Sequence, residues 1–339
     1  MKRRKDRDSR VRRVVAPAEK AEERGPSFAR MDKADPYPTG RAIGFIGFGE
    51  AGFHIAKGLR EAGAGEVVAY DLHTHTPGKG ELIRRRAESA GVRLVESNAE
   101  VAAQCGVLLS TVTADQACIA AEGTAPHLRA DHLYADLNSV SPDAKQRVAR
   151  TVEASGARFV EIAIMAPVPP HGHRVPMLGG GEAAGEFVER MGPFGLRVEI
   201  VSREVGVAAA TKMFRSIVVK GLEALLTECV LGAARYGAEE RVLGSLSDLL
   251  PGVDWGKLAG YMVGRVAVHG ERRAREMEEV AATLLGLGIE PIMADATVRR
   301  MDWAAKLDLK TRFGGDAPAG YREFVRAVEE AEGEQTTPS

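Results

Sequence analysis

From Arg41 onward, two hydrophobic patterns alternate along the chain. Ala42-Ile43-Gly44-Phe45-Ile46 is an unbroken apolar run, as expected of a strand buried on both faces. Ala51, Ile55 and Leu59 then recur at i, i+4 and i+8, which predicts a helix that Gly63 and Gly65 stop. Val67-Val68-Ala69-Tyr70 is a second apolar run, closed by Asp71. Together they make a strand–turn–helix–strand unit of about thirty residues. The alternation continues with a helix over 81–90, a strand over 107–112, a helix over 114–121 and a strand over 133–137. Ser141 is placed to cap a helix that has Pro142 in its first turn and runs to about Ala154. Residues 159–165 form a further strand. Short apolar runs separated by helices predict an α/β fold: a doubly wound, mostly parallel sheet with helices on both faces.

Beyond about residue 205 the strand pattern disappears. Residues 207–236 hold two glycines and no proline and keep helical periodicity throughout. Further helices are predicted at about 239–249, 254–286, 294–309 and 317–332. The expected organisation is an extension over 1–40, a nucleotide-binding domain over 41–204, an all-α domain for substrate and dimerisation over 205–333, and a tail over 334–339.

Composition narrows the class. At 339 residues and 45% hydrophobic, the chain can build two cores and is not wholly disordered. No apolar run reaches the roughly 18 to 20 residues of a membrane span, so no membrane partner is expected. Cys105, Cys118 and Cys229 are odd in number and form no CxxC, which fits a reducing compartment. With no apolar stretch after the basic N-terminus, the cytoplasm is the expected location. The net charge of −1 conceals an asymmetry: residues 1–40 carry 12 basic and 7 acidic side chains, so the remainder sums to −6. The extension reads as disordered, and the balanced whole gives no reason to expect nucleic acid.

Gly47-x-Gly49-x-x-Gly52 lies between the first strand and the first helix, and Asp71 ends the next strand. That context makes the glycine pattern a dinucleotide-binding signal of the Rossmann type. Gly47 allows the tight turn, Gly49 lets backbone approach a pyrophosphate, and Gly52 lets helix and strand pack closely. The candidate cofactor residues are Gly47, Phe48, Gly49, Glu50, Ala51, Gly52 and Asp71, with Val112 at the end of the third predicted strand and Thr113 directly after it. Asp71 would bind the ribose hydroxyls and repel a 2′-phosphate, and no arginine follows it directly, which favours NAD over NADP. No metal is expected. His73-x-His75 and His171-x-His173 lack further ligands at metal spacing.

Four stretches, in order, resemble one family. Gly44-Phe45-Ile46-Gly47-Phe48-Gly49-Glu50-Ala51-Gly52 is similar to the opening of the β-hydroxyacid dehydrogenases, which include the 3-hydroxyisobutyrate and 6-phosphogluconate enzymes. Asp136-Leu137-Asn138-Ser139-Val140-Ser141-Pro142 resembles the family's Asp-x-Ser-Thr-x-x-Pro. Met165-Ala166-Pro167-Val168 resembles the Ala-Pro-Val before its Ser-Gly-Gly turn, and Gly206-x5-Lys212-Met213-Phe214 resembles the start of the helix bearing its catalytic lysine. The likeness covers about residues 42–236, and the rest is similar to a poorly characterised helical domain found behind such NAD-binding domains. It implies hydride transfer at a hydroxyl-bearing carbon, with Lys212 as general acid/base, and a homodimer in which one subunit's helices reach the neighbour's site. Burial in an apolar helix would move such a lysine toward the useful pH range.

The substrate half departs from the pattern. The family's Asn four residues after the lysine is Ser216 here, and Arg215 precedes it. Pro169-Pro170-His171 stands where the resemblance places Ser-Gly-Gly. Asn138 and Ser139 end a strand at the ligand-binding edge, and Arg215, Ser216 and Lys220 share a face with Lys212. Lys220 and Glu223 have the spacing of an intrahelical ion pair. His269, Arg272, Arg273 and Glu276 share one face of a later helix, where His269 and Arg272 or Arg273 would bind an anionic substrate, across a dimer, unless the face is simply a solvated charged one. His171 and His173 are loop histidines or a proton relay. The expectation is an NAD(P)-dependent oxidoreductase for a small anionic hydroxy compound. The alternatives are an imine reductase-like enzyme, which often lacks the lysine, and a non-catalytic NAD(P)-binding protein.

Overall fold

The computed structural model describes residues 42–336. The expected 1–40 extension lies outside the described residues. The chain runs β1 (Ala42–Ile46), α1 (Glu50–Glu61), β2 (Val67–Tyr70), α2 (Lys79–Ala90), β3 (Arg93–Leu94), α3 (Asn98–Gln104), β4 (Cys105–Ser110), α4 (Ala117–Thr124), β5 (Leu133–Asp136), α5 (Pro142–Glu153) and β6 (Arg158–Ile164). The one-turn α6 (Val168–His171), β7 (Pro176–Gly180), α7 (Ala184–Met191) and β8 (Arg197–Ser202) complete the sheet half. Helices follow: α8 (Val207–Ala234), α9 (Glu239–Ser245), α10 (Trp255–Gly286), α11 (Ile292–Lys306), the one-turn α12 (Leu309–Arg312) and α13 (Tyr321–Thr336).

The eight strands lie in the order β3-β2-β1-β4-β5-β6-β7-β8, parallel throughout except for the antiparallel β6–β7 pair. Chain direction across the sheet switches between β1 and β4, which opens the crevice where such sheets bind ligands. Ile46 pairs with Ser110, and Ser110 with Asp136. The loops that follow, at 47–49, 111–113 and 137–139, therefore emerge side by side. Alternate residues feed two cores. Ile43, Phe45 and Leu109 face Ile55 and Leu59 of α1, while Ile46, Leu108 and Tyr134 face Val101, Val148 and Val152. In the helical half, Leu226, Val230, Trp255, Val263 and Phe324 form another core.

Three strands escape the sequence reading. β3 is only two residues long, β7 contains Pro176 and two glycines, and β8 has no fully buried position. A neighbour explains one of these glycines: a Cβ on Gly180 would lie 2.5 Å from Glu161 Oε1. Helices α3 and α7 are also additions. The strand expected at 107–112 begins earlier and ends at Ser110, leaving Thr111 and Val112 to the loop. Among the described residues, no helix is long and apolar enough to cross a membrane.

Candidate active site

The glycine loop has the shape its sequence demands. Gly47 has φ of +85°, and a Cβ there would meet Val112 Cγ1 at 2.6 Å and Thr111 O at 2.9 Å. A Cβ on Gly52 would come within 2.6 Å of Thr111 Oγ1, whose hydroxyl donates to Gly47 O at 2.7 Å. Gly49 has no atom within 4 Å of where a Cβ would stand, so its backbone is open to a ligand. It caps α1 without a side chain, which leaves the first-turn N–H groups of Glu50 and Ala51 for an anion. A cradle shaped this way fits a dinucleotide pyrophosphate.

Phe48 is corrected in its role. Its side chain is core, edge-on to Phe45 at 6.2 Å, and only its backbone faces the loop. That backbone N–H donates to Asp71 Oδ2 at 2.7 Å, while His73 N donates to Asp71 Oδ1 at 2.8 Å. The carboxylate is thus locked in orientation beside the glycine loop. Val112 walls that loop through its contact point with Gly47, and Thr113 is exposed at the same edge.

The second group of residues gathers at the end of β5. Lys212 Nζ donates to Ser139 Oγ, joining α8 to the sheet edge. Beside them Asn138 Nδ2 donates to Ser110 Oγ at 2.9 Å. Beneath, Lys145 is 1% exposed; its ammonium donates to Asp136 O at 2.7 Å and Ile162 O at 3.2 Å and lies 3.3 Å from Asp136 Oδ2. Half-buried Lys212 is pushed down to about 8, first by burial and then by the Lys145 charge; Glu276 works against this, while Lys220 and Arg272 add to it.

Glu161 sets where α8 starts. This fully buried carboxylate accepts from Gly206 N at 2.7 Å, Ala208 N at 3.0 Å and Ala209 N at 3.3 Å, so it satisfies the orphan donors of the helix N-terminus. Gly206 enters with φ of +111°, which a side chain would strain. Lys145 and Glu161 were missed from sequence. Glu161 did leave a signal, as the lone charge within the apolar run Phe159–Ile164.

The remaining candidates separate. Ser216 donates back to Lys212 O at 3.2 Å, and Arg215 is exposed one turn beyond the lysine. The expected Lys220–Glu223 pair does not form. Lys220 reaches across to Glu276 at 3.0 Å, and Glu276 also accepts from Arg272 at 2.6 Å. Glu223 instead holds Arg265 at 3.0 Å and Arg273 at 3.1 Å. Glu223 stands eleven residues from Lys212, about 16 Å along the helix axis. Arg273, 2% exposed, is therefore a partner of Glu223 inside the helical half and not a free cation beside Lys212. His269 is exposed on a separate cleft of about 860 Å³, shared with Tyr261, Arg265 and the 315–323 segment. Burial lowers its basicity first, then Arg272. His173 is buried against α1, where a Cβ on Gly58 would fall 1.9 Å from its Nδ1, so it is a packing residue. Among the described residues, no cluster of three or more His, Cys, Asp or Glu could hold a metal ion.

Known proteins resemble both halves of the chain. Residues 42–191 match the family described as the NAD binding domain of 6-phosphogluconate dehydrogenase, and residues 233–304 match a domain of unknown function, DUF1932. A solved conserved hypothetical protein from Sinorhizobium meliloti 1021 is 37% identical, with a TM-score of 0.73 over 87% of this chain and 97% of its own. A second solved protein, of unknown function but described as structurally similar to 3-hydroxyacid dehydrogenases, is 35% identical, with a TM-score of 0.67 over 81% of this chain and 100% of its own. The chain belongs to the β-hydroxyacid dehydrogenase family. Human mitochondrial 3-hydroxyisobutyrate dehydrogenase is 25% identical over 222 residues, which spans 63% of either chain. Within the family this chain keeps an NAD-binding domain, over residues 42–191.

Proposed function

We propose that the protein is a nicotinamide-dependent oxidoreductase that interconverts a small anionic hydroxy compound and its carbonyl. The observation that carries this reading is the Lys212–Ser139 contact at the carboxyl edge of the sheet, with the lysine's basicity lowered by burial. A nicotinamide, when bound, supplies the hydride acceptor or donor. Gly47, Gly49, Glu50, Ala51 and Gly52 hold its pyrophosphate, Asp71 takes the adenosine ribose, and Val112 and Thr113 line the way to the nicotinamide. Asp71 favours NAD over NADP, because its fixed carboxylate would repel a 2′-phosphate.

Neutral Lys212 gives one N–H to Ser139 Oγ and turns its lone pair toward the substrate hydroxyl. It accepts the hydroxyl proton in oxidation and returns it in reduction. Lys145, Lys220 and Arg272 push its pKa down and Glu276 pushes it up, while Lys145 is itself paired with Asp136 and Lys220 and Arg272 with Glu276. Asn138 and Ser139 bind near the reacting carbon, and Arg215 offers a cation one turn along. Arg273 acts through Glu223, at a distance. The helical half is the proposed dimer partner surface, following the family resemblance. Retention of Lys212 speaks against the imine reductase reading.

The test is a turnover screen with NAD and NADP against hydroxy acids, phosphorylated sugars and amino alcohols, with Lys212→Ala alongside. Turnover that depends on Lys212 is expected. Tight cofactor binding with no turnover across the panel would favour a non-catalytic binding protein.

A further inference from the structure

The hydroxyl in contact with Lys212 Nζ in this structure is that of Ser139. A lysine placed to take a proton from a substrate hydroxyl is equally placed to take one from this neighbour. When the lysine is neutral, the serine O–H can donate to its lone pair across the same contact. Ser139 is exposed and Lys212 half-buried, so a compound arriving from solvent has access to the serine oxygen.

Ser139 also differs from the residues around it. Leu137, Asn138 and Val140 are buried on either side. Leu137 N donates to Ser110 O at 3.0 Å, Asn138 N to Asp136 Oδ1 at 3.0 Å and Val140 N to Asn138 O at 3.1 Å. Asn138 Nδ2 donates to Ser110 Oγ at 2.9 Å, and Lys145 fixes the end of β5 through Asp136 O at 2.7 Å. Among the described residues, the Ser139 N–H is the one backbone donor from Leu137 to Val140 without a partner. The serine is therefore held firmly on the turn from β5 into α5, exposed, with its own N–H unspent.

These are the parts that acyl transfer through a serine requires. An adjacent base activates the hydroxyl, and the N–H of the nucleophile itself can stabilise the oxyanion that forms. Lysine serves as that base only when neutral. Burial favours the neutral form of Lys212, and no ion pair opposes it among the described residues. The nearby carboxylates are spent on other cations: Asp136 lies 3.3 Å from Lys145, and Glu276 holds Lys220 at 3.0 Å and Arg272 at 2.6 Å.

We propose that Ser139 and Lys212 form a nucleophile–base pair that transfers acyl groups from small activated esters, an activity separate from hydride transfer and independent of nicotinamide. Neutral Lys212 takes the Ser139 proton as Oγ bonds to the ester carbonyl carbon. The ester C–O bond then breaks, the leaving alcohol or phenol takes the proton from Lys212, and an acyl ester of Ser139 remains. Water, giving a proton to Lys212, attacks that ester; the acid departs and the proton returns to Ser139 Oγ. Nothing is oxidised or reduced. The two activities use the lysine alike and differ in whose hydroxyl it deprotonates.

The probe is p-nitrophenyl acetate, mixed with the full-length protein in the absence of nicotinamide. Release of p-nitrophenol is followed by absorbance, and the acid-quenched protein is mapped by peptide mass spectrometry. Wild type should release p-nitrophenol and carry one acetyl group on Ser139. Ser139→Ala and Lys212→Met should each slow the release by about a hundredfold or more, the usual worth of a positioned base. Melting temperature and NADH affinity check that both variants fold. Acetyl found on Lys212 in place of Ser139 overturns the proposal, as does release that survives Ser139→Ala. Release no faster than in buffer overturns it too. The oxidoreductase reading fails or holds separately, because Ser139→Ala keeps the base and should retain part of its hydride transfer in the turnover screen.

Discussion

If Lys212 is the base, the pH dependence of oxidation should report its environment. The structure places its pKa at about 8, against an ordinary 10.5, with burial the first cause and Lys145 the second. At pH 7 about one lysine in ten would then be neutral, against about one in three thousand without the shift. kcat/KM for oxidation should fall about tenfold per pH unit below 8 and level off above it. Reduction needs the protonated lysine and should run the opposite way, declining above about 8. The assay is a series of initial rates from about pH 6 to about pH 10 in both directions, with Lys145→Met as the perturbation. Removing the Lys145 charge should move the break upward, toward the ordinary value, and lower the oxidation rate at pH 7. Lys212→Ala should lose about a hundredfold to ten-thousandfold and, with it, the break. A break near 10.5 in wild type, or one that stays put in Lys145→Met, would refute the reasoning. The same shift bears on stability. Folded Lys212 releases its proton at lower pH than the unfolded chain, so its contribution to stability rises as pH climbs from about 8 toward 10.5.

Other expectations follow from the packing. Glu161→Gln keeps the volume but offers an N–H donor to backbone N–H groups, so unfolding in urea should show a loss of about 2–4 kcal/mol. Gly47→Val meets both a positive φ and contacts under 3 Å, and calorimetry should find cofactor binding abolished while the helical half keeps its circular dichroism. Asp71→Ala frees the N–H groups of Phe48 and His73, and titration should show NAD affinity reduced about tenfold or more, with NADP affected less.

The cofactor side of the molecule was legible because its chemistry is local. Gly47, Gly49, Gly52 and Asp71 act through backbone shape within one strand–helix–strand unit, and their spacing carries that information. Phe48 was the exception there, because only packing shows that its ring faces the core. Lys212 was legible through resemblance, and its pairing with Ser139 joins positions 73 residues apart that no local pattern connects. Lys145 and Glu161 were hidden for the same reason: each acts on backbone groups of another element. Helical spacing put Lys220 beside Glu223 and Arg273 beside Glu276. The partners chosen were across the α8–α10 seam, where burial makes an unpaired charge expensive. Strands β7 and β8 were obscured by their glycines and by exposure at the sheet edge.

The central claim is hydride transfer to a carbon whose oxygen is served by Lys212. The direct measurement is reduction of a panel of carbonyl acids with NADH deuterated at its transferable position, followed by mass spectrometry of the products. Deuterium on the carbinol carbon of at least one product, formed by wild type and lost in Lys212→Ala, is the predicted result. Products without deuterium, or labelled product formed equally well by Lys212→Ala, would contradict it.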